Sequence, residues 1–130
     1  MSGLQLSALF LFLLNTAGLL LHSQLIPRGR IRAGMFCFYT NQSNLLLTVY
    51  ELLLLCAGFW PGGRLWAVLT DVRLSCAMAL YIWVTHLIYQ FVLVPEQKRK
   101  GQRFADFGGS FGNICVHYLT PLLVVAQWLF

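Results

Sequence analysis

Residues 66–94 read WAVLTDVRLSCAMALYIWVTHLIYQFVLV. The only charged side chains among them are Asp71 and Arg73, both near the start. A helix needs about 20 apolar residues to cross the hydrocarbon core of a bilayer. This stretch is long enough to cross with tilt, or to begin with an interfacial turn. It shows no alternation of apolar and polar residues, so it reads as helix and not strand. Residues 4–24, 36–60 and 113–130 have the same character. In lipid every backbone group has to be satisfied within its own segment or a closed barrel, which again selects helices. The expected fold is all-α: a single membrane domain over residues 1–130, with four transmembrane helices joined by short connections and packed as a bundle.

Composition agrees. Hydrophobic residues make up 58% of the chain and charged residues 10%, against roughly 25% charged in soluble domains. Such a balance excludes a disordered chain, which needs high charge and low hydrophobicity. Four cysteines in 130 residues are too few for a disulfide scaffold. Cys37, Cys56, Cys76 and Cys115 all fall within spans and form no C-x-x-C, so they read as small buried hydrophobes, with no metal site or disulfide. Phosphate loops, H-E-x-x-H and G-x-S-x-G are absent, and no cofactor is expected. The first apolar stretch has no Lys or Arg before it and no small-x-small site near its end. It reads as a retained span and not a signal peptide.

Ten of the thirteen charges fall in the connections. Arg28, Arg30 and Arg32 lie in the first; Glu96, Lys98, Arg99, Lys100, Arg103 and Asp106 in the third; Arg64 in the tight second connection beside Pro61, Gly62 and Gly63. The Lys/Arg bias predicts residues 25–35 and 95–112 on the cytoplasmic side and both termini outside. Setting orientation explains these clusters, so no nucleic-acid partner is expected.

Polar residues inside the spans recur at helical spacing. Asn41, Asn44, Thr48 and Glu51 form one stripe, and Asn113, His117, Thr120 and Gln127 another. Asp71, Ser75, Thr85, His86 and Tyr89 share a side of the third span, with Gln90 at its edge. Gln5, Asn15, Thr16 and His22 are the contribution of the first. Polar side chains in a span turn toward the bundle interior, where their simplest role is to hydrogen-bond between helices. Counting along each helix, Thr40, Asn41, His86, Gln90 and His117 reach one layer about 6–12 Å inside the cytoplasmic end, with His22 above it. A hydroxyl and imidazoles at one depth are the parts of a nucleophile–base pair. Pro121 has no N–H, so the carbonyl of His117, four residues back, loses its helical partner. Glu51 and Arg73 lie at matching depths toward the outer half and are expected to form an ion pair, although the helical wheel puts Arg73 opposite the polar stripe of its own span.

Two segments resemble a known family. Phe38-Tyr39-Thr40-Asn41-Gln42-Ser43-Asn44-Leu45 resembles the F-x-T-x-Q-S-N-L signature of the bacterial Pr-six-Pr integral membrane proteins. His117-Tyr118-Leu119-Thr120-Pro121-Leu122 resembles their H-Y-x-x-P-L segment, and Arg73 with Ala79–Tyr89 resembles the span between. The resemblance covers residues 36–130 and implies a six-span protein of the bacterial inner membrane without an established activity. This chain ends at Phe130, as the fourth span reaches the outer surface, so a truncated or short member is expected. Thr40 and His117 are also similar, more distantly, to the threonine and histidine of the androgen-induced-protein-like membrane enzymes, which hydrolyse fatty acid esters of hydroxy fatty acids.

The leading functional expectation is therefore a lipid-ester hydrolase. Thr40 attacks the acyl carbonyl of a lipid substrate, His117 takes its proton, and Asn41 or Asn44 donates to the oxyanion, with His86 and Gln90 also lining the site. One alternative is a small-solute or ion binding and transport module with Glu51 and His86 as titrating steps, enclosed by homo-oligomerisation if four short spans cannot enclose a path. Haem ligation by His86 and His117 is another, and a non-enzymatic accessory protein of the bilayer is the last.

Overall fold

The computed structural model describes residues 1–23, 25, 29, 38–104 and 109–130. The basic cluster Arg28, Arg30 and Arg32, the first residues of the second expected span with Cys37, and Asp106 lie outside the described residues. All regular elements among the described residues are helical.

Helix α1 spans Gly3–His22 and opens on a capping box: Ser2 Oγ accepts from Gln5 N–H, and the Ser2 N–H donates to Gln5 Oε1. Helix α2 covers Tyr39–Ala57. The third stretch departs from the single span expected. A six-residue helix, α3 (Arg64–Leu69), comes first and stops at Thr70. Asp71 then caps α4 (Val72–Ile88), its side chain accepting from Arg73 N–H at 2.8 Å. A polar residue assigned to the inward stripe is thus an N-cap at the helix end. The helix continues through a π-turn at Tyr89–Leu93 into α5, Val94–Arg99. Residues 94–99, expected as loop beyond Val94, are helical, because Pro95 stands in the first turn of α5, where no N–H is needed. The last helix starts at Phe111 under a Ser110 cap as α6 (Phe111–Ile114), passes a second π-turn at Cys115–Leu119, and ends as α7 (Thr120–Leu129).

α1 packs on α2 and on the α6–α7 helix; α4 packs on α2 and α7. α2 also meets the last helix at its π-turn, so α1 and α4 lie across the diagonal of the bundle. Where they meet, Ala8, Leu11, Leu47, Leu54, Ala79, Ile82 and Val124 form the apolar core.

The distribution of side chains is inverted relative to a water-soluble domain. Asn15, Ser43, Asn44, Glu51 and Thr120 are wholly buried, whereas Phe10, Leu13, Leu46, Val49, Leu80, Phe91, Val92 and Leu122 are exposed. Burying that many amides and a carboxyl while exposing the large hydrocarbons is unfavourable in water. Among the described residues, two helices, Gly3–His22 and Val72–Arg99, are long and apolar enough to cross a membrane.

Candidate functional site

The site grows out of the two π-turns. Each precedes a proline by two residues: Tyr89–Leu93 before Pro95, and Cys115–Leu119 before Pro121. In the second, the Thr120 N–H reaches past its α-helical acceptor, Val116, to the carbonyl of Cys115. Pro121 supplies nothing to His117. Two consecutive carbonyls, Val116 and His117, thereby lose their helical donors, one more than proline alone would free. Both are met from neighbouring helices. Asn44 Nδ2 donates to the Val116 carbonyl at 3.2 Å, and His86 Nδ1 donates to the His117 carbonyl at 2.7 Å. A carbonyl only accepts, so this contact fixes the His86 proton on Nδ1.

The chain's three histidines converge here. The His117 ring stacks on Tyr89 with centroids 3.6 Å apart, and the His22 ring meets it edge-on at 5.8 Å. Asn113 Nδ2 donates to the Tyr89 hydroxyl, and the Tyr118 hydroxyl donates to Gln90 Oε1 at 2.8 Å. His117 Nδ1 is buried with no hydrogen-bond partner. π-turns are rare, and they occur often at functional positions. Here they bring Tyr89, Gln90, His117 and Tyr118 to a single level.

One level further along the axis lies an amide layer. Asn15 Nδ2 donates both to the Asn44 carbonyl (2.6 Å) and to Thr48 Oγ1 (2.8 Å), while Ser43 and Thr85 hydroxyls meet at 2.7 Å. Apolar Leu11, Leu47 and Val124 follow. Beyond them Gln127 Nε2 donates to Ser7 Oγ (3.0 Å) and to Glu51 Oε2 (3.3 Å), with Glu51 Oε1 buried and unpartnered. From Ser7 to His22 the distance along α1 is about 22 Å.

Of the expected site residues, His86 and His117 come together, and Gln90 joins them through Tyr118. Asn44 lies at the edge of the cluster through Val116. Asn41 is buried on the same face of α2. Thr40 is half-buried and contributes its backbone: its carbonyl accepts from Ser43 Oγ and Asn44 Nδ2, at 2.9 and 2.8 Å. Among the described residues no hydrogen bond joins the Thr40 hydroxyl to His117. The expected ion pair is corrected: Glu51 is wholly buried against Gln127, while Arg73 is exposed in the first turn of α4. The reason is the helical wheel, which turns Arg73 away from the face α4 gives to α2. Glu96 pairs with Arg99 at 2.8 Å and with Lys100 at 3.5 Å, and both pairs are exposed. The sequence reading places Asn15 only among the inward polar residues of the first span and gives no site role to Ser43 or Tyr118, because spacing along one helix does not reveal which residues meet across helices. Among the described residues, no group of three or more His, Cys, Asp or Glu side chains is arranged to hold a metal.

No protein-family model, curated protein or solved structure matches the chain.

Proposed function

We propose that this chain is an integral membrane protein with four spans that binds a small cation and moves it across the bilayer. Glu51 is the binding carboxylate near one side, and the histidine cluster is the exchange site near the other. The observation that carries the reading is Glu51: a carboxyl wholly buried among helices whose outer surfaces are apolar, with one oxygen unpartnered. An ionisable group inside a span is costly to retain, and such groups mark ion and substrate paths. Lys98, Arg99, Lys100 and Arg103, with Arg28, Arg30 and Arg32 of the first connection, support a cytoplasmic histidine end. The layer of Leu11, Leu47 and Val124 between Glu51 and the amides is a closed gate of the kind that excludes water until its helices part.

The lipid-ester hydrolase ranks below this reading. Among the described residues no hydrogen bond joins its nucleophile to its base, and the His117 ring is held against Tyr89. Equal labelling of wild type and Thr40→Ala by a fluorophosphonate probe would remove it altogether.

The transport reading is tested in proteoliposomes loaded with a pH-sensitive dye, under an inward cation gradient. Wild type is expected to dissipate the gradient at least about tenfold faster than empty vesicles, and Glu51→Gln to return the rate to that of empty vesicles. A buried charge that is the binding group has no substitute within its layer. Equal rates for wild type and Glu51→Gln would overturn the proposal.

A further inference from the structure

A cleft of about 120 Å³ opens beside Glu51 where the ends of five helices meet. Leu4, Leu54, Leu69, Met78 and Val124 supply its apolar walls. Its polar lining is Tyr50, Thr70, Ser75 and Gln127, with Trp128 at the side. Gln127 separates the cleft from the carboxyl: it lines the one and donates to the other.

The donors of this lining are already spent. The Tyr50 hydroxyl donates to the Leu69 carbonyl at 2.9 Å, Thr70 to Trp66 at 2.8 Å, and Ser75 to Asp71 at 3.1 Å. Gln127 Nε2 is engaged by Ser7 and Glu51. What the three hydroxyls keep is lone pairs, since each has one hydrogen to give and two acceptor sites. Behind them stands Glu51 Oε1, an acceptor with no partner. Apart from the indole N–H of Trp128, the side chains offer a ligand acceptors, aromatic faces and hydrocarbon. A carboxylate or phosphate ligand would find the Trp128 N–H as its donor and otherwise meet acceptors. A neutral alcohol would gain one hydrogen bond and leave Glu51 as it is. An alkylammonium ion brings up to three N–H donors and no acceptor. It also carries the positive charge that a carboxylate needs opposite it, and a short chain for the leucine and methionine walls. The rings of Tyr50 and Trp128 are suitable cation–π partners for the same head group.

We propose that the cleft is a binding site for small protonated amines, with Glu51 as counter-ion and Gln127 as the amide that yields to admit the ammonium group. This names the substrate class of the transport reading and rests on it for its physiological meaning. Binding itself is separable from transport.

The test is calorimetric titration of the full chain in detergent with n-propylammonium, n-propanol and propionate. Propylammonium is expected to bind, and the other two to bind at least about tenfold more weakly. Glu51→Gln should weaken propylammonium binding at least about tenfold. Met78→Trp, which fills the cleft without touching the carboxyl, should abolish it and serves if Glu51→Gln fails to fold. Equal binding of propylammonium and propanol, or undiminished binding to both variants, overturns the proposal. Binding in detergent without flux in vesicles would sink transport and leave the site. Flux of another cation without propylammonium binding would do the reverse.

Discussion

Gly112→Ala is expected to destabilise the protein by about 1–3 kcal/mol, the range for an overpacked core position, although alanine is the better helix former. A Cβ at residue 112 would lie 2.8 Å from the His22 backbone nitrogen, 2.9 Å from Leu21 Cβ and 3.1 Å from the Leu21 carbonyl carbon. Two of these are main-chain atoms, so no rotamer change relieves the contact. α1 and α6 would have to separate at the level where the His22 and His117 rings meet. The same interface is tight one turn away, where a Cβ on Gly18 would come within 2.8 Å of Cys115 Cβ. Gly3→Ala is the control, because a Cβ there meets nothing within 4 Å, and its effect should stay within about 0.5 kcal/mol. Unfolding titrations in mixed micelles read both. Equal stabilities for Gly112→Ala and Gly3→Ala would show that the two helices do not approach this closely.

The close contact at Gly112 also illustrates what is and is not legible in a sequence. Helix positions are legible because hydrophobicity runs in long blocks with the charges between them. The inward stripe of Asn41, Asn44 and Glu51 is legible because three- and four-residue steps fix a face of a helix. The orphaned His117 carbonyl follows from Pro121 alone. That the Val116 carbonyl is orphaned as well does not, since it depends on Thr120 N–H shifting to Cys115, a π-register that sequence spacing does not encode. Partners across helices are the hardest. Arg73 matches Glu51 in depth but not in azimuth, and depth alone suggests a pair. Thr40 shares a depth with His117, yet no hydrogen bond joins its hydroxyl to that ring. The cleft is illegible for the same reason. It is made by the break at Thr70–Asp71, which lets α3 fold beside the ends of the other helices.

The π-turn makes a second strong prediction, in the form of a double-mutant cycle. Asn44→Leu removes the donor that meets the Val116 carbonyl in a residue that is wholly buried. An unsatisfied buried acceptor costs about 1–3 kcal/mol, and Asn44→Leu alone is expected to lose that much. Pro121→Ala restores a backbone N–H at that position. The restored N–H can then donate to the His117 carbonyl, and Thr120 N–H can return from Cys115 to Val116, closing the π-turn into ordinary α-helix. With both carbonyls satisfied inside the helix, Asn44 keeps its bond to the Thr40 carbonyl but has none left to rescue in the last helix. Asn44→Leu should therefore cost markedly less in the Pro121→Ala background, with a coupling energy of about 1–2 kcal/mol, well above the roughly 0.3–0.5 kcal/mol seen between independent sites. Costs that add within about 0.5 kcal/mol would mean that Asn44 and the proline act separately, and that the π-turn is not held open by the amide that meets its freed carbonyl.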